Sequence, residues 1–129
     1  CGDIRLGGRS GQERAVLVED PFGGEPVHEL RLREGAVATS GIGRRCWRGP
    51  DGELAHHILD PSSGRPAFTG LVQVTALAPS ALLAETYAKA ALLAGPAEAA
   101  RWLPHGGVLV RDGGEVEVVP APLPIGAPA

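Results

Sequence analysis

The hydrophobic period of this chain changes once, at Pro79-Ser80, and that change limits the folds open to it. Upstream, apolar residues recur at alternate positions. Residues 71–77 are the clearest case, with Val72, Val74 and Ala76 alternating with Gln73 and Thr75, the mark of a strand with a buried face. Downstream, residues 81–94 are rich in Ala and Leu and hold no Gly or Pro. Ser80 offers an N-cap oxygen, and Gly95-Pro96 supplies the stop, so a helix is predicted over 81–94. Leu82, Glu85 and Lys89 fall on one side of it at spacings of three and four. A second, shorter helix is predicted at 97–103, between Pro96 and Pro104. Strands followed by helices argue for an α+β fold, with helices packed on one face of a mostly antiparallel sheet.

The remaining segments fit that class. Residues 2–6 and 15–19 read as short strands. In residues 27–33, His28, Leu30 and Leu32 form the apolar side of an alternating strand. Gly35 permits a tight turn into the small-residue strand 36–40. Gly49-Pro50-Asp51-Gly52 marks a hairpin tip, and Asp112-Gly113-Gly114 joins 108–111 to 115–119 as a closing hairpin. Residues 1–119 are therefore expected to form one domain, with 120–129 as a Pro/Ala-rich tail.

Composition narrows the function classes. A length of 129 residues suits one domain, and 43% hydrophobic with 21% charged residues argues against disorder. A net charge of −3 carries no global footprint of a nucleic-acid binder. No apolar run is long enough for a transmembrane segment, and no basic-then-apolar leader pattern occurs. The chain has no Met, which predicts a processed chain or a fragment. Cys1 and Cys46 form no metal or disulfide framework and are expected to be free thiols, although an N-terminal cysteine is also a lipidation point in exported bacterial proteins. Lys89 is the only lysine, a flexible ammonium among arginines.

The densest polar stretch is 56–65, with two imidazoles, a carboxylate, two hydroxyls and a guanidinium in ten residues. Asp-Pro and Ser-Gly are also plain turn chemistry, so pattern alone leaves a capped surface loop and a functional loop both open.

Longer motifs carry a resemblance. Ala36-Val37-Ala38-Thr39-Ser40-Gly41, then His57-Ile58-Leu59-Asp60-Pro61-Ser62-Ser63-Gly64-Arg65-Pro66, then the strand 72–79 and the helix from Ala84-Glu85 to Gly95-Pro96, follow the order of the C-terminal half of the FAD:protein FMN transferase (ApbE) family. Cys1-Gly2-Asp3 resembles that family's Gly-Gly-Asn/Asp opening, with cysteine at the first glycine. The resemblance implies a T-fold-like α+β architecture. It also implies transfer of FMN from FAD to a Ser or Thr hydroxyl of an acceptor protein, with release of AMP and assistance from magnesium. On this resemblance His57, Leu59 and Thr39 approach the flavin nucleotide. His57 either takes the hydroxyl proton or shapes the loop. His28, His56 and His105 match no motif and are expected at the surface or at strand ends.

The implied metal helix presents Asp and, four residues on, Thr; here those positions hold Glu85 and Lys89, with Ala88 between them. Glu85 retains an oxygen for Mg2+, whereas an ammonium has no lone pair to give. The plain alternative is a solvated Glu→Lys pair worth roughly 0.2–0.5 kcal/mol. The family's N-terminal half has no counterpart here, so a fragment or truncated relative is expected. An alternative function is a flavin-nucleotide-binding module without magnesium-dependent catalysis. Whether the parent bacterial protein is cytoplasmic or exported to the cell envelope stays open.

Overall fold

The structure is a computed structural model, and it describes residues 2–43, 46–122 and 125. Cys1, Arg44, Arg45 and residues 123–124 and 126–129 lie outside the described residues, and with them the Cys1 thiol and most of the expected tail.

The strands are β1 (Asp3–Leu6), β2 (Arg14–Val18), β3 (His28–Leu32), β4 (Gly35–Gly41), β5 (Cys46–Arg48), β6 (Leu54–His56), β7 (Leu71–Ala78), β8 (Gly107–Arg111) and β9 (Val116–Val119); the helix α1 spans Ala81–Ala94. A five-stranded sheet runs β1-β4-β7-β8-β9, with every neighbouring pair antiparallel. β2 pairs with β3, and β5 with β6, as separate two-stranded ribbons. The α+β class expected from the period change is the one observed.

β7 is central and α1 lies over it, because both elements present small residues to the contact. Ala84 of α1 packs with Ala36 and Ala38 of β4 and Ala78 of β7, and all four are almost fully buried. Ala88, Ala91 and Leu92 continue the contact onto Leu71, Val74, Ala76 and Leu109. The helix begins where the Ser80 side chain accepts from the Leu83 N–H at 3.2 Å. It ends at Gly95, whose φ of 85° no β-carbon residue adopts readily.

Three expectations need correction. The alternation in 71–77 implies one buried face, but Gln73 and Thr75 are buried as well, while Val72 is only half-buried. A register shift between Leu71 and Gln73 puts Val72 in a bulge, which restores Leu71 to the helix side. The second face is buried because the β2–β3 ribbon covers it: Val16, Val18, Leu30 and Leu32 pack on Val37, Leu77 and Val108. The helix layer on one face thus has a β layer opposite. Finally, the predicted second helix is a single 3-10 turn, Ala99–Trp102. The seven residues between Pro96 and Pro104 leave too little length for an α-helix to repay its nucleation. Beyond β9, Ile125 packs against the ribbon-side cluster.

Candidate functional site

The stretch 57–66 leaves β6 and returns as a closed loop. Ala67 N–H donates to Ile58 O at 3.0 Å, Leu59 and Pro66 form a bridge, and Asp60 N–H donates to Arg65 O at 2.8 Å. The tip is wound on Asp60. Its Oδ1 accepts from Ser62 N–H at 2.9 Å and from Ser62 Oγ at 2.7 Å, and its carbonyl accepts from Gly64 N–H at 2.8 Å. These bonds require the chain to reverse within three residues, and Gly64 makes the reversal with φ +70°. The Ser62 hydroxyl and amide hold the Asp60 carboxyl below its usual range, since both donate to the ionised form.

The arms of the loop alternate in and out. Ile58 is buried in the helix-side cluster, while His57 and Leu59 on either side of it are exposed. The two residues expected to approach a flavin therefore share one outward face. His56 is not a surface residue, contrary to expectation: it is 1% exposed and bonded on both ring nitrogens. Sequence alternation carried the signal, because His56 has the same parity as Ile58. His28 begins β3, as a strand-end residue should, and His105 is half-buried with its ring 6.4 Å from that of Tyr87.

Glu85 lies on α1, in the turn that precedes Ala88, which belongs to the same cluster as Ile58. Its Oε1 accepts from the Lys89 Nζ at 2.6 Å, in a pair roughly half exposed to solvent. Thr39 points the other way. Ala36 and Ala38 face the helix, so Thr39 and Val37 face the ribbon side; there the Thr39 hydroxyl meets that of Thr75 at 2.8 Å. Gly2 lies opposite Thr39, and its carbonyl accepts from the Thr39 N–H at 2.9 Å; a β-carbon on Gly2 would come within 2.7 Å of Thr39 O. The opening segment and the Thr39 strand are thus brought together, and so are the loop and the Glu85 helix. Thr39 and Glu85 are separated by the sheet. A cleft of about 350 Å3 lined by Arg5, Glu34, Pro79 and His105 contains none of these residues.

This arrangement has counterparts. The ApbE family profile matches residues 1–110. This chain belongs to the ApbE family. The FAD:protein FMN transferase of Treponema pallidum (strain Nichols) is 34% identical over 96 residues, which is 73% of this chain and 26% of the relative. That of Escherichia coli (strain K12) is 38% identical over 63 residues, 49% of this chain and 18% of the relative. Among solved structures, the ApbE protein from Thermotoga maritima superimposes with a TM-score of 0.78 at 35% identity, over 91% of this chain and 40% of its own. The apo flavinyl transferase ApbE of Pseudomonas stutzeri does so with 0.66 at 25% identity, over 92% and 39%. The chain therefore spans well under half the length of these ApbE relatives, in keeping with the C-terminal half that the motif order implies.

The ApbE resemblance brings magnesium with it, and the donor set tests that. Glu85 offers one carboxylate, and its Oε1 is taken by an ammonium that gives no lone pair. Among the described residues no group of three or more His, Cys, Asp and Glu side chains is placed to hold a metal. The described side chains of this ApbE chain do not by themselves fit a magnesium ion.

Proposed function

We propose that this chain is the C-terminal part of an FAD:protein FMN transferase, which moves FMN from FAD to a Ser or Thr hydroxyl of an acceptor protein. The observation that carries the reading is the 57–66 loop: a motif shared with the ApbE family, cross-bonded through Asp60 and presenting His57 and Leu59 on one exposed side. Leu59, 52% exposed, offers an apolar surface for a flavin ring. His57 is the base. The acceptor oxygen forms a bond to the FMN phosphorus, the bond from that phosphorus to the bridging oxygen breaks, AMP leaves with that oxygen, and the hydroxyl proton passes to the imidazole. A rigid loop suits this task, because a base displaced by an ångström loses much of its effect.

The test uses the full gene product that contains this chain, incubated with FAD and an acceptor protein, and reads covalent flavin fluorescence on the acceptor. His57→Ala is expected to lower transfer by about a hundredfold or more, the usual worth of a positioned base. Equal FAD affinity and equal transfer in the variant would remove His57 from the site.

One observation favours a second reading, a flavin-nucleotide-binding module without magnesium-dependent catalysis. The Glu85–Lys89 pair at 2.6 Å occupies the helix turn from which the family resemblance expects metal ligands. The same incubation separates the two readings: FAD retained without transfer to any acceptor supports the module.

A further inference from the structure

The loop that carries His57 and Leu59 is closed at its base by a side chain outside the family motif. His56 Nδ1 accepts from the Ile58 N–H at 3.2 Å, so that nitrogen carries no proton. The proton is then on Nε2, which donates to Ala67 O at 2.7 Å. Ile58 lies on the outgoing arm and Ala67 on the returning arm, so one ring spans both. The Phe68 ring meets the imidazole edge to face, with ring centroids 4.8 Å apart and planes at 78°. A residue of the same shape without nitrogens would fill the space but strip the Ile58 N–H and Ala67 O of these bonds.

We infer that His56 is a positioning residue for the flavin-facing segment, a clamp that holds Ile58 inward and thereby turns His57 and Leu59 outward. The clamp stands on the geometry alone; what the outward face meets rests on the transferase reading.

Three variants test it in the full gene product, by amide hydrogen exchange and by flavin transfer. His56→Phe keeps ring volume and the Phe68 contact and removes both nitrogens. His56→Asn returns an acceptor near the Ile58 N–H, and His56→Gln returns a donor near Ala67 O. Exchange at the Ile58 amide is expected to speed up about tenfold or more in the Phe and Gln variants and to stay near its original rate in the Asn variant. The Val74 amide in β7 reports whether each variant is folded. In the full gene product, kcat falls about tenfold in His56→Phe with a smaller change in KM for FAD, and the Asn and Gln variants recover part of it. A space-filling role ranks the variants the other way, with Phe nearest the unmodified protein, and that order overturns the proposal. So does equal Ile58 exchange in the Asn and Gln variants, which keeps the test decisive should His56→Phe fail to fold. Normal transfer despite a disrupted clamp overturns the positioning role and leaves the transferase reading intact. An unmodified gene product that neither binds FAD nor transfers FMN overturns that reading and the flavin part of this inference together.

Discussion

Lys89 is the chain's only ammonium on a side chain, and it is hydrogen-bonded to Glu85 at 2.6 Å. An exposed i,i+4 pair of this kind contributes only about 0.2–0.5 kcal/mol to a helix, so stability gives little reason for a lysine here. Its consequence is electrostatic. A divalent cation placed at Glu85 would lie close to the ammonium, and like charges about 4 Å apart repel by several kcal/mol at an effective dielectric near 20. In the full gene product, Lys89→Thr is therefore expected to gain a magnesium dependence of FAD turnover that the unmodified protein lacks at this position. Turnover assayed across a magnesium titration checks this; activity indifferent to the substitution, or magnesium bound at Glu85 in the unmodified protein, defeats it. The residue scale is also where the sequence was least explicit. His57 and Leu59 could be named from a motif, whereas His56 looked like one more imidazole in a polar run. Its burial follows from a two-residue period shared with Ile58, a signal that is weak over so short an arm. Thr39 shows the converse limit: its place in a motif says nothing of which sheet face it takes, and that face is decided by the register of β4 against β7.

At the scale of elements, β7 bears both layers. Its Val74 is wholly buried toward α1, while Thr75 beside it is buried toward the β2–β3 ribbon. Val74→Asp is expected to destabilise the chain by several kcal/mol, because the carboxylate would have no partner in that layer. Val116→Asp, on the exposed edge strand β9, is the control and should change stability by no more than about 0.5 kcal/mol. Thermal melts of both variants check this, and an unchanged midpoint for Val74→Asp would contradict the central place of β7. The elements themselves were legible where local chemistry decides them. Ser80 and Gly95 bound α1 as expected, and the Gly-rich turns mark the two hairpins. Two features were not legible. The bulge at Val72 costs one residue of register and leaves no mark on composition, and the 3-10 turn at Ala99–Trp102 reflects the confinement of a helical pattern between two prolines.

The whole molecule is a sheet covered unequally on its two faces. α1 follows β7 in sequence and joins it through Pro79 and Ser80, so its docking is local. The β2–β3 ribbon is different: among the described residues its ladder pairs only with itself, and it meets the main sheet through side-chain packing of Val16, Val18, Leu30 and Leu32 and a bond from Gln73 Nε2 to Glu19 O at 2.9 Å. No pattern in the sequence distinguishes a strand that joins the main sheet from one that lies across it, because both alternate with period two; only the packing partner decides. A two-stranded ribbon is at best marginally stable alone, so its stability is borrowed from the apolar contact beneath it. The ribbon is therefore expected to open as a unit before the sheet does. In native-state hydrogen exchange under low denaturant, the amides of β2 and β3 should share one opening free energy, lower than that of β7 and β8 by about 2 kcal/mol or more. Leu30→Ala should lower the ribbon's value further, by the 2–5 kcal/mol or so that a buried leucine typically contributes, up to the point where the ribbon is open in the native state. The β7 amides should then hold their protection to the extent that Val37, Leu77 and Val108 tolerate water. If instead β2, β3 and β7 exchange through one common opening, the three layers form a single cooperative unit and the ribbon is as integral to the fold as the helix.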